Sequence, residues 1–334
     1  MSIVETVIFI KENFLENLSK IVKKDKLIKG KTAVKIHMGE YGNLTHLRPQ
    51  VVEAVVSALK ANGAKPFVFD TPTLYKGSRS TAQKYLETAK KNGFSKETIG
   101  CPIIISDKSK SLKGKKFLKE VNASQEILKA DCLVVLSHFK GHGDAGFGGC
   151  IKNIGMGCVS KKSKKDQHTL SQPVLEGNCT GCGSCEKACK QKAIKVTNGK
   201  AKINCELCYG CCACVQACPV HALRPKTASV RVLLAEATAT VLENFPKEKT
   251  LFINVLFDIT KDCDCCAESK IICENIGIVV SKDIVAADKA ALDLLEQKAG
   301  NILETIEKVN PQEQIQAGIE FNLGSKEYKL EEIE

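Results

Sequence analysis

The stretch TAVKIHMGEYGNLTHLRPQVVEAVVSALKANGAKPFVFD, Thr32–Asp70, decides the fold. Its ends, TAVKIHM and AKPFVFD, are short, near-continuously apolar runs and read as strands. Between them RPQVVEAVVSALKANG repeats its apolar residues at helical spacing and stops at Gly63. Strands of this kind with a helix between them predict a covered, mainly parallel sheet.

The rhythm continues in both directions. A helix lies within SRSTAQKYLETAKKNG (78–93), followed by a strand in CPIIIS (101–106), a short helix in SQEILKAD (124–131) and a strand in CLVVLSH (132–138). It breaks at Glu176 and resumes near Thr227. Beyond the break come a helix (228–245), strands LFINVLF (251–257) and IGIVVS (276–281), and a helix (284–300). The simplest account is an α/β body, residues 1–175 and 228–334, interrupted by a cysteine-rich insertion at 176–227. A separate C-terminal domain is the alternative.

The interruption carries chemistry. Bacterial-type ferredoxins hold cubane clusters with Cys-x-x-Cys-x-x-Cys-x-x-x-Cys-Pro, three thiolates serving one cluster and the fourth crossing to the other. In CELCYGCCACVQACP (205–219) one register fits: Cys208, Cys211, Cys214 and Cys218, then Pro219. Starting from Cys205 puts Val215 in the fourth place, so Cys205 and Cys212 are surplus, Cys205 as a partly buried free thiol. CTGCGSCEKACK repeats the run as Cys179, Cys182, Cys185 and Cys189, with Lys190 where proline is usual. The crossed rule assigns Cys179, Cys182, Cys185 and Cys218 to one four-iron cluster, and Cys208, Cys211, Cys214 and Cys189 to a second. The tails KAIKV and HALRP follow the two runs in the same place, as in an internal duplication. Residues 176–227 hold eight Lys/Arg and three acidic residues, which suits an acidic electron donor of ferredoxin or flavodoxin type.

Composition sets the context. With 334 residues, 43% hydrophobic and 26% charged, the chain can bury a substantial core. Its apolar runs are too short to cross a bilayer, and MSIVETVIFIKENF lacks a basic export-signal start. The expectation is a cytoplasmic protein whose eighteen cysteines are mostly metal ligands rather than disulfides. The net charge of +11 is spread along the chain, its densest run being KKSKK, Lys161–Lys165. That run reads as a solvated basic loop or an anion contact, and with no accompanying motif it does not indicate nucleic-acid binding.

Two further loops follow strands. LSHFKGHGDAGFGGCIKNIGMGC (136–158) contains the literal pattern Gly141-x-Gly143-x-x-Gly146. A dinucleotide turn should open a helix, and Gly148, Gly149, Gly155 and Gly157 argue against a regular one. His138, Lys140, His142 and Asp144, with Lys152 and Asn153, are candidate catalytic or anion-binding residues. His37, Glu40, His46 and Arg48 would join the same sheet edge. FDITKDCDCCAES (257–269) offers Asp258, Asp262, Cys263, Asp264, Cys265 and Cys266, of which Asp262, Cys263, Cys265 and Cys266 are the candidate half-site for a metal or a third cluster, with Cys273, Cys150 or Cys158 as further ligands.

HFKGHGDAGFGGCIKNIGMGC, the paired cysteine runs and DITKDCDC together resemble the ferredoxin-fused branch of the family catalogued as domain of unknown function 362. The resemblance covers nearly the whole chain and implies an iron–sulfur protein with an α/β body, without naming a reaction. The functional expectation is two 4Fe–4S clusters passing low-potential electrons to a site on the body, as in a reductase acting on a small anionic substrate. A dedicated electron carrier and a metal-cofactor delivery protein are the alternatives.

Overall fold

Covering both faces of a parallel sheet requires helices on each side. The computed structural model describes residues 4–334, so the first three residues of the stretch read for an export signal lie outside it. Eight strands make one sheet: β1 (Glu5–Ile10), β2 (Gly30–Lys35), β3 (Ala64–Asp70), β4 (Ile103–Ile105), β5 (Cys132–His138), β6 (Thr250–Leu256), β7 (Gly277–Ser281) and β8 (Tyr328–Ile333). Their order is β8-β1-β7-β6-β5-β2-β3-β4. Only β7 runs against the others, pairing antiparallel with β1 and β6. The pairs β6–β5, β5–β2, β2–β3, β3–β4 and β1–β8 are all parallel. Segments on both sides of the cysteine-rich stretch therefore build a single sheet.

The helices of eight or more residues are α1 (Phe14–Lys24), α2 (Pro49–Ala61), α3 (Ala82–Lys91), α4 (Cys150–Gly157), α5 (Lys161–Leu170), α6 (Val230–Leu242), α7 (Ile284–Ala299) and α8 (Gln312–Glu320). Successive residues of β5 face opposite ways. Leu133 and Val135 pack in the core shared with α4, α6, α7 and α8, while Val134 and Leu136 pack with α1, α2 and α3. All seven residues of β5 are buried, which explains its continuous apolar run. Among the described residues no helix is long and apolar enough to cross a membrane.

Three expectations are corrected. A helix, α4, forms despite its glycines, because the buried Asp288 carboxylate of α7 accepts the first N–H groups of Cys150 (2.7 Å) and Ile151 (2.9 Å). The basic run is not a solvated loop: it opens α5, and the buried Lys164 donates to Thr71 Oγ1 (2.7 Å) and the Pro72 carbonyl (2.6 Å). Cys205 is exposed rather than partly buried.

The cysteine-rich segment is a small unit of its own. Its end strands Pro173–Leu175 and Leu223–Pro225 pair antiparallel, as do Ile194–Thr197 and Lys200–Ile203. Short helices at Ser184–Ala188 and Ala213–Gln216 complete two matching halves. The left-handed residues match too: Gly181, Gly183 and Lys192 in one half, Gly210, Cys212 and His221 in the other, at the same offsets from Cys179 and Cys208. Cys212 thus stands where the first half uses Gly183, with φ 63° against 77°. It is buried, with its sulfur 3.3 Å from the Ser171 hydroxyl.

Candidate functional site

The eight cysteines of the two runs divide between two cavities. Cys179, Cys182 and Cys185 line the first together with Cys218. Cys208, Cys211 and Cys214 line the second together with Cys189 and the surplus Cys212. Each fourth cysteine accepts a backbone N–H: Ala193 donates to Cys189 Sγ and Ala222 to Cys218 Sγ, both at 3.2 Å. Apolar residues close each cavity, Val196, Ala201 and Leu223 at one, Ile194, Ile203 and Ala213 at the other. Burial pushes the thiol of Cys211 up to about 12, helped by the Asp144 carboxylate, so a thiolate there calls for a compensating cation. The crossed quartets, the N–H···S bonds and the apolar walls fit cubane clusters. Among the described residues, no three His, Cys, Asp or Glu side chains converge as the ligands of one metal ion do. Thiolates on the corners of a cubane stand further apart than that.

The second constellation belongs to the body. Loops following β2, β3, β5 and β6, four neighbours in the sheet, meet at the C-terminal edge of these parallel strands, where α/β folds place their ligand sites. At their centre is Asp264, fully buried. One carboxylate oxygen faces His138 Nδ1 at 2.8 Å, and the other accepts from Lys140 Nζ at 2.7 Å. His138 Nε2 lies 2.7 Å from the Phe257 carbonyl, so both ring nitrogens meet oxygen partners. Burial works to raise the Asp264 carboxyl, but His138 and Lys140 outweigh it and hold it far below the ordinary carboxylate range.

Beside Asp264 lies a thiol pair. Arg79, buried, donates from Nη1 to His37 Nε2 (2.6 Å), from Nε to Glu40 Oε2 (3.2 Å) and from Nη2 to Tyr75 Oη (2.5 Å). As the acceptor from Arg79, His37 is neutral, and burial followed by the Arg79 charge lowers its affinity for a proton. Cys265 Sγ sits 3.6 Å from the same His37 nitrogen. The neighbouring Cys263 thiol and then the Arg79 charge outweigh burial and hold the Cys265 thiol well below its ordinary value. The nearness of Cys265, with burial, raises Cys263. The two thiols are thus shifted in opposite directions, Cys263 up and Cys265 down, in a basic, half-buried setting.

The four candidate catalytic residues separate. His138 and Lys140 clamp Asp264. His142 and Asp144 lie in the hairpin formed by Lys140–His142 and Gly146–Gly148. His142 Nδ1 accepts the N–H groups of Asp144 (3.1 Å) and Ala145 (3.2 Å), and burial, then Lys152, pushes its proton affinity well down. Gly143 and Asp144 form part of the wall of the second cysteine cavity. Gly141 is in this hairpin, not at a strand-to-helix turn, and a Cβ there would sit 2.0 Å from the Lys261 carbonyl oxygen. The hairpin thus lies against the loop that carries Asp264.

The other half-site residues do not join. Asp262 Oδ2 accepts from the Ser269 hydroxyl (3.2 Å), Cys266 is exposed, and Cys150 and Cys158 are buried in the body. Cys273 is half-exposed in the strand Ile271–Cys273. His46 stacks on Phe94, and Arg48 pairs with Asp258. Asn153 accepts from the buried Lys35, itself paired with Asp70 at 3.0 Å.

Four residues escape sequence reasoning. Arg79 and Tyr75 sit in the loop after β3, a position the strand pattern does flag. Arg231 Nη1 donates to the carbonyls of Asp144 (2.6 Å) and Cys211 (3.2 Å), tying the hairpin to the second cavity. Lys190, where proline was usual, pairs at 2.9 Å with Glu307, whose side chain is buried in the body. Nothing local marks Arg231 or Glu307.

The profile of the family described as domain of unknown function, DUF362, matches residues 32–293, and the chain belongs to that family. No curated protein matches it. Among solved structures, a Thermotoga maritima protein determined as a structural-genomics target is similar over 87% of this chain and 58% of that one, at 12% identity and TM-score 0.46. The lactate racemase apoprotein from Thermoanaerobacterium thermosaccharolyticum is similar over 75% of this chain and 51% of that one, at 13% identity and TM-score 0.36. The chain thus spans little more than half the length of either.

Proposed function

We propose that the cysteine-rich segment is a ferredoxin-type insertion holding two 4Fe–4S clusters, and that it relays low-potential electrons to the Cys263–Cys265 centre, where the body carries out a reduction. When bound, the clusters supply one-electron transfer. The protein's own groups then do the rest. The N–H groups of Ala193 and Ala222 stabilise the thiolates of Cys189 and Cys218. Arg231 and the Lys190–Glu307 pair hold the segment on the body. The lysines of the segment suit an acidic electron donor.

The observation that carries this reading is the hairpin. Its tip, Gly143 and Asp144, walls the second cysteine cavity, and its root, Lys140, clamps Asp264 between Cys263 and Cys265. A free carrier has no need of that contact. Metal delivery draws no support from the turn, because Asp262 is engaged by Ser269 and, among the described residues, no three metal-ligating side chains converge.

The test is iron and acid-labile sulfide per chain on protein purified without oxygen, with electron paramagnetic resonance after reduction. Two clusters require about eight irons and eight sulfides. Cys182→Ser and Cys211→Ser should each abolish one of two distinct signals. Iron well below four per chain in anaerobic, folded protein sinks the proposal.

A further inference from the structure

The turn Cys263-Asp264-Cys265-Cys266 is held at Cys263, Asp264 and Cys266. The Cys266 N–H donates to the Cys263 carbonyl (2.9 Å), the Glu40 N–H to the Asp264 carbonyl (2.8 Å), and Asn43 Nδ2 to the Cys266 carbonyl (2.7 Å). The Asp264 side chain is clamped on both oxygens. Cys263 and Cys265 flank this fixed point, both half-buried, with Tyr75 exposed beside Cys265. Residues two apart in a tight turn bring their Cα atoms within the span of about 4.4–6.8 Å that a disulfide bridges, though with strain. A strained, accessible disulfide is the readily exchanged kind.

We infer that Cys263 and Cys265 are a redox-active pair that cycles between dithiol and disulfide and makes the body a reductase of disulfide-class substrates. The inference rests on the electron-relay reading. Two single electrons arriving through the cysteine-rich segment, with one proton, break the Cys263–Cys265 bond and leave Cys263 as thiol and Cys265 as thiolate. The Cys265 thiolate attacks one sulfur of the substrate disulfide, whose S–S bond breaks and whose other half leaves as a thiolate. Cys263 then attacks Cys265 Sγ, giving up its proton and releasing the second half, and the internal disulfide closes. The substrate gains the two electrons that entered.

The geometry divides the roles. Cys265 Sγ lies 3.6 Å from His37 Nε2, the atom to which Arg79 donates, so the guanidinium charge lies on the Cys265 side of the pair, as an attacking thiolate requires. Cys263 is the resolving thiol. A structural pair would have no use for a buried guanidinium spent on His37, Glu40 and Tyr75 at its side.

The experiment uses holoprotein purified without oxygen. It is oxidised with diamide, its free thiols are blocked with N-ethylmaleimide, and the peptide carrying both cysteines is weighed. The expected peptide is unlabelled at Cys263 and Cys265 and lighter by two hydrogens, and Cys265→Ser loses this product while keeping its iron. Dithionite, a one-electron donor, should restore both thiols in the wild type but not in Cys211→Ser, whereas dithiothreitol should restore them in either. The reduced protein should release two thiolates from a nitrobenzoate disulfide per cycle, and Cys263→Ser should stall as a mixed disulfide on Cys265. A peptide labelled at both cysteines after oxidation, or a bond from Cys265 to Cys266, overturns the inference. A disulfide that forms but yields only to dithiothreitol in the wild type overturns the relay and leaves the pair standing.

Discussion

Replacing Asp264 by Asn tests the centre of the body site. The carboxylate is buried and accepts from the ring of His138 at 2.8 Å and from Lys140 Nζ at 2.7 Å. An amide keeps the shape but removes the charge and one acceptor, leaving Lys140 as a buried cation without its partner. Breaking a buried pair in this way costs about 3–5 kcal/mol. Unfolding entropy of about 2.1 cal/mol/K per residue gives roughly 0.7 kcal/mol/K for a chain of 334 residues. The melting midpoint should therefore fall by about 4–7 °C. Adding Lys140→Met removes the stranded cation and should recover about half the loss. The pH dependence is fixed in sign. The folded carboxyl is held below its unfolded value of about 3.9, so its stabilisation is complete above that pH and is lost only as pH falls through the folded value. The gap between wild type and Asp264→Asn should thus stay constant from about pH 7 to pH 5. The assay is differential scanning calorimetry on anaerobic holoprotein. A midpoint shift under about 1 °C, or a double variant no more stable than the single one, refutes the description of this clamp.

The remaining predictions concern the thiols and the docking contact. Between about pH 8 and pH 6 an ordinary thiol loses about a hundredfold in thiolate, so iodoacetamide should slow by that factor at a typical cysteine. Cys265 should slow far less, because the neighbouring Cys263 thiol and the Arg79 charge favour its thiolate, and Arg79→Met should steepen the dependence; matched slopes in wild type and variant would contradict this. Lys190→Ala strands the buried Glu307 carboxylate and should cost about 1 kcal/mol, discounted because Lys190 is 57% exposed, as read from chemical denaturation; an unchanged midpoint would remove the docking role. Ser171→Ala should leave cluster content unchanged, because Ser171 touches Cys212, which the crossed quartets do not use; loss of iron in that variant would bring Cys212 into the ligand set.

The sheet was largely legible, and the site only in part. β2, β3, β5, β6 and β7 are buried on both faces, and that burial writes near-continuous apolar runs into the chain. β8, YKLEEI, is an edge strand with no fully buried residue, so its pattern is weak. α4 was hidden by its own glycines, since the carboxylate that caps it arrives from Asp288, more than a hundred residues away. The cysteine grouping was readable because three cysteines of each run come from one tight loop and line one cavity, so spacing records their geometry.

By itself, then, the sequence determined the α/β body with its large, mostly parallel sheet, a property of local period, while its cysteine spacing supports the proposed two-cluster insertion. Tertiary structure alone decided the second centre. His37, Arg79 and Cys265 each follow a different strand and His138 ends a fourth, and only the order β6-β5-β2-β3 makes those strands neighbours. Sheet order is set by burial and by pairing between distant segments, which leave no local mark. Whether Cys265 faces an arginine or open water depends on that order, and its acidity and reactivity follow from it.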